Sequence, residues 1–230
     1  MEHWLYSFNI AGHTFSVNLD TIITMWLAMA FLIVISLIVT RKAQMVPSRT
    51  QAACEKIMEF FWGVMDTMMP GKNRQHVPFV ASLFLFILTA NLMGQLPLRI
   101  IHLKHGELAS PTNDINLTAA LAILVLIYYI TAGLKAKKGK FFIHEFSFQG
   151  IIMFLVELLE MFTRPLSLAI RLFANIFAGE VLVAICLGIS AAFLPIPVMI
   201  FELIVAFIQA TVFMMLTIAY VSSAAQTEEH

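Results

Sequence analysis

Arg171 stands in the middle of an apolar run, Arg164-Pro-Leu-Ser-Leu-Ala-Ile-Arg171-Leu-Phe-Ala-Asn175-Ile-Phe-Ala-Gly179-Glu180, where a cation is costly. A guanidinium at the bilayer centre is disfavoured by about 3 kcal/mol on insertion scales and by roughly 10 or more in simulations, so a chain that keeps one there compensates it or uses it. No acid lies three or four residues to either side of Arg171, so its own helix offers no i, i+4 partner. What remains is a fixed positive charge able to act on an anion brought to it. Arg164, two turns earlier on the same face, can pair with Glu160 or snorkel to the interface, or share the role of Arg171. Asn175 follows one turn beyond, with Ala178 and Gly179 at the next, giving one polar and small side that admits a close neighbour.

Glu180 lies nine residues past Arg171, and Glu202 and Gln209, seven apart, line one face of the last apolar segment. Acids inside membrane segments are typical of proton relays; the plain alternative is that one of these acids sits solvated at headgroup level and that Gln209 makes an ordinary interhelical hydrogen bond. In Pro111-Thr-Asn-Asp-Ile-Asn-Leu-Thr118 the spacing reads first as turn and helix-cap chemistry for Asp114, while Asn116 could line an aqueous path. His102 and His105 have a metal-like spacing but no further ligands, so no metal and no cofactor is expected. There is neither a phosphate-binding Gly-x-x-x-x-Gly-Lys-Ser/Thr loop nor a His-Glu-x-x-His zinc helix, which excludes nucleotide hydrolysis by that route.

The elements that must position these groups are membrane elements. Of 230 residues 60% are hydrophobic and 12% charged, with a mean hydropathy of +0.87, far too apolar for an ordinary soluble domain. Fourteen basic against fourteen acidic residues leave no net charge, and nothing recommends nucleic acid as a partner. Uncharged runs at 22–40, 77–98 and 115–134 each match the ~20 residues that cross about 30 Å of hydrocarbon. Between the first two, at 48–68, Cys54, Ile57, Met58, Phe61, Val64 and Met65 recur at helical spacing, with Glu55, Lys56 and Glu59 elsewhere, which predicts an interfacial amphipathic helix. The segment 148–187 is helical in pattern and about twice as long as a perpendicular crossing, so it must tilt, kink or protrude. After a break at Pro195-Ile-Pro197 a final helix is expected over 198–225, pairing antiparallel with the one before.

The predicted fold is therefore an all-α polytopic membrane protein in a single membrane domain, 1–230, with five crossings and an outer segment at 1–19. Basic residues set its orientation. Arg41, Lys42, Arg49, Lys56, Lys72 and Arg74 follow the first span, and Lys135, Lys137, Lys138 and Lys140 follow the third, against only Arg99 and Lys104 in the loop between the second and third. The positive-inside rule then puts the N-terminus outside and Gln226–His230 in the cytoplasm. No Lys or Arg precedes Arg41, so no cleaved leader is expected. Cys54 and Cys186 fall in segments too different to pair.

The Arg164 to Glu180 stretch closely resembles the signature of subunit a of the bacterial F-type ATP synthase. Gln209-Ala-Thr-Val-Phe-Met-Met-Leu-Thr-Ile-Ala-Tyr220, Asn91-Leu-Met-Gly94-Gln-Leu-Pro97 and Pro111 to Thr118 also resemble segments of that family, so the likeness covers essentially the whole chain. The resemblance implies a non-catalytic, proton-translocating stator in the bacterial plasma membrane, with partners in a ring of c subunits, the b-subunit peripheral stalk and the other synthase subunits. It implies an essential Arg171 facing the ring carboxylate, two half-channels, and Asn175, Glu180 and Gln209 at positions of proton access, to which the residues themselves add Asn116 and Glu202 on the proton path. Glu202 departs from members that carry histidine there. From the residues without the resemblance, a self-contained secondary transporter or channel using Arg171, Glu180 and Glu202 inside its own bundle stays open.

Overall fold

In hydrocarbon every backbone N–H and C=O must find its partner within the segment, so uncharged runs of this length become helices. The computed structural model describes residues 5–10, 13–41, 44–45, 47–71, 75–95, 110–136, 148–189 and 193–225. Six helices appear among them: α1 (Leu19–Arg41), α2 (Arg49–Met68), α3 (Val77–Gln95), α4 (Ile115–Ala136), α5 (Phe148–Ile189) and α6 (Pro195–Ala225). All but α2 are long and apolar enough to cross a membrane, giving five spans. The chain is an all-α polytopic membrane protein with one addition the apolar runs do not announce. Strands β1 (Leu5–Ile10) and β2 (His13–Asn18) form an antiparallel hairpin ahead of α1, Leu5 opposite Asn18 and Ile10 opposite His13. The signal for it is the alternation in Tyr6-Ser-Phe8-Asn-Ile10 and Phe15-Ser-Val17.

Helix ends follow local chemistry. Ser48 caps α2 by accepting from the Gln51 amide at 3.4 Å, and past its C-terminus Gly71 takes φ +84°, a conformation glycine adopts without strain. Asp114 caps α4, its Oδ1 accepting from the Asn116 amide at 2.8 Å. The break expected at Pro195-Ile-Pro197 is instead the first turn of α6: the first N–H groups of a helix have no intrahelical acceptor, so prolines there sacrifice nothing. Within α5 the internal Pro165 removes one N–H, yet the helix continues for 42 residues, about 63 Å at 1.5 Å per residue.

The core lies among α2, α3, α4, α5 and α6, where Phe61, Ile87, Val125, Leu168, Leu172, Phe213 and Ile218 are buried almost completely. Phe61 on α2 meets Phe84 on α3 edge to face at 5.4 Å between ring centroids, and Ser222 on α6 donates to the Met68 carbonyl at 3.2 Å. These contacts pin the amphipathic helix against the bundle. Ile57, one of the apolar set at helical spacing, is exposed together with Phe60 and Trp62, because the stripe that turns inward runs through Met58, Phe61, Met65 and Met68. By contrast α1 buries only Asp20, Thr24 and Ala28, leaving Trp26, Phe31 and Ile38 on an open apolar surface.

The short 3-10 turn Pro111–Asn113 is the keystone at the hairpin end of the bundle, packed against α1, α3, α4 and α5. Ser110 donates to the Ala90 carbonyl of α3 at 3.1 Å and shares a 2.8 Å hydrogen bond with Thr112. The Ser110 side chain lies so close to α3 that a Cβ at Gly94 would come within 2.5 Å of it. Asp114 Oδ2 accepts from Asn18 at 2.7 Å and from Thr21 at 3.2 Å, tying the same turn to α1.

Candidate functional site

The two arginines of α5 are in different surroundings. Arg164 is half-buried and pairs with Glu160; its Nη1 donates to Ser223 of α6 at 3.3 Å, and its guanidinium sits 4.9 Å from the centroid of Tyr220 and 5.8 Å from that of Tyr129. Its charge is answered within the chain. Arg171 is exposed and makes no ion pair or hydrogen bond among the described residues. Leu168, Leu172 and Ile176 turn into the bundle, which leaves Arg171 on the outer face of α5 beside Ser167, Ala174 and Ala178, all exposed. Gly179 is not part of that face. Eight residues at 100° each put it about 80° round the helix from Arg171, and it points inward at Glu202, whose carboxylate a Cβ would run into.

Glu180, nine residues from Arg171, projects about 180° away from it and is buried, 7% exposed. Asn113 of the 3-10 turn donates from Nδ2 to Glu180 Oε2 at 2.7 Å. Glu202, 9% exposed, packs on the neighbouring Gly179, so both acids lie at one level in the hairpin half of the bundle. Two anchor points then fix the antiparallel register of α5 and α6: Gly179 against Glu202 at one end and Arg164 against Tyr220 and Ser223 at the other. Interpolation between them places buried Gln209 within about one 5.4 Å turn of the levels of Arg171 and half-buried Asn175. Asn116 is not joined to this cluster; it is exposed and its amide donates to Asp114 Oδ1 at 2.9 Å. His102 and His105 lie outside the described residues, and among those described no group of acids, histidines and cysteines could hold a metal. Cys54 and Cys186 are unpaired thiols.

Several polar residues of this region carry no signal at helical spacing. Asn113, the donor to Glu180, lies in a run that reads as turn chemistry, and only the fold brings it across 67 positions to its acid. Asn91 of α3 is fully buried, beside the carbonyl that Ser110 uses. At the opposite end, buried His76 bonds Tyr128 Oη through Nδ1 at 2.8 Å, and Tyr128 stacks on Phe79 at 3.7 Å. Burial, and then the charge of Lys135, hold the His76 pKa below its ordinary 6.5.

Five apolar spans, with an exposed cation on the outer face of the longest helix and two buried acids at one level of the bundle, define an integral membrane protein. Residues 22–222 match the family model described as ATP synthase A chain. The chain is 45% identical over 216 residues to the ATP synthase subunit a of Gloeobacter violaceus, covering 94% of this chain and 86% of that one. The chain belongs to this family, subunit a of the F-type ATP synthases. It is thus a multi-pass component of the proton-translocating membrane sector, working in complex with other synthase subunits.

Proposed function

We propose that the chain is the proton-conducting stator of a rotary ATP synthase in a bacterial plasma membrane, catalysing no chemistry itself and coupling proton flow to rotation of a c-subunit ring. The observation that carries this is the placement of Arg171: mid-span, on an outward face lined by Ser167, Ala174 and Ala178, and unanswered by any described residue of its own chain. Its counter-charge then belongs to a neighbouring polypeptide, the ring carboxylate. A fixed guanidinium favours the ionised form of a carboxylate arriving opposite it, so that group gives up its proton on one side before passing and regains one on the other. Arginine suits the role because it keeps its charge at any working pH, whereas a desolvated lysine can lose its proton.

Two half-channels offset across Arg171 supply the access. Glu180 and Glu202 in the hairpin half line the outer one, with the N-terminus outside and the C-terminus cytoplasmic, and Asn116 stands at its mouth. Asn175 and Gln209, near the level of Arg171, complete the path to the ring. Arg171 also repels protons that would leak from one half-channel to the other under a driving force of about 2.3 kcal/mol per charge per 100 mV. The b-subunit stalk holds the stator still. A self-contained transporter would turn this arginine into its own bundle, where Leu168 and Leu172 stand instead.

Reconstitution separates the two. The purified chain in liposomes should carry no proton flux above protein-free vesicles, and flux should appear only with the ring present; robust flux from the chain by itself would sink the stator.

A further inference from the structure

We infer that Asn113 is a positioning residue for Glu180, whose side-chain amide commits Oε2 of that carboxyl to accepting and makes Oε1 the oxygen through which its proton comes and goes. The assignment rests on Glu180 lying on the proton path proposed above. An Asn Nδ2 has two hydrogens and no acceptor site, and a carboxyl accepts more strongly at its carbonyl oxygen than at its hydroxyl, so the 2.7 Å contact favours a proton on Oε1 over one on Oε2. The carboxyl therefore need not rotate between its protonated and ionised forms. It exchanges at one oxygen, in one place.

What makes Asn113 effective is that its own position is over-determined. The 3-10 turn that carries it is bound to α3 through Ser110 and the Ala90 carbonyl, braced internally by Ser110 with Thr112, and bound to the end of β2 and the start of α1 through Asp114 with Asn18 and Thr21. Asp114 also caps α4. Three spans thus hold one amide against an acid on the fourth. Hydrogen bonds to charged groups contribute more than neutral ones, and a donor fixed beforehand loses little entropy in making them.

The test uses the assembled synthase in inverted membrane vesicles, with ATP-driven proton pumping measured against pH for Asn113→Leu, Asn113→Asp, Glu180→Gln and the double variant Asn113→Leu/Glu180→Gln. Asn113→Leu, branched at the same carbon and without a donor, should lower pumping by about tenfold, the scale of one lost hydrogen bond to a charged group, and displace the pH midpoint by about one unit. Asn113→Asp, nearly isosteric, should displace it too, which covers the case in which the leucine variant does not assemble. In the Glu180→Gln background the leucine should move the midpoint no further. If both Asn113 variants keep the parental midpoint while Glu180→Gln changes pumping, the assignment fails and the proton path stands. If Glu180→Gln itself leaves pumping and its pH profile unchanged, both fall together.

Discussion

Arg164 and Arg171 share a helix and a face in projection, yet one is answered within its chain and the other is not. Replacing Arg164 by Ala removes a partly exposed ion pair and a cation–π contact, so stability should fall by only about 1 kcal/mol, with ATP-driven pumping largely kept; a melting curve and a pumping assay on the assembled complex check both. Gly179 is constrained differently. A methyl there meets the Glu202 carboxylate, so Gly179→Ala should destabilise by about 1–3 kcal/mol, the usual cost of overpacking, and lower pumping by displacing Glu202. Unchanged melting and pumping would show that Glu202 does not pack against Gly179. The sequence announces Arg171, Glu180, Glu202 and Gln209 because charged and amide groups in apolar runs stand out. It does not announce Asn113, whose importance comes from a tertiary contact and not from its neighbours in the chain.

Among the elements, the spans are legible because hydrocarbon leaves the backbone no other choice, whereas the hairpin has only a short local alternation to announce it and the 3-10 turn is set by contacts between distant segments. Pro195 and Pro197 mislead for a specific reason: the same residue that breaks a helix interior fits a helix start. At the α2 end, His76 and Tyr128 join α3 to α4. The His76 pKa is lowered by burial and by Lys135, so the unfolded chain binds a proton more readily than the folded one, and the stability tied to neutral His76 is lost as pH falls below about 6.5 toward the depressed folded value. Thermal melting of the purified complex should therefore drop on acidification through that window, and His76→Gln should flatten the drop. A parental slope in the glutamine variant would remove His76 from the account.

For the whole molecule, the exposed apolar surface of α1 and the outward faces of α5 and α6 are surfaces that lipid or neighbouring chains must cover, and on the proposed function the charge on one of them is answered by the ring. Composition reveals the membrane, and the run around Arg171 reveals an uncompensated cation; which way that cation points needs the packing of Leu168, Leu172 and Ile176. ATP-driven acidification of inverted vesicles carrying Arg171→Ala tests this most directly. With the complex assembled and ATP hydrolysis present, acidification should be abolished, and Arg171→Lys should restore little of it. Acidification equal to that of the unmutated complex would contradict the assignment of Arg171 as the charge on which coupling depends.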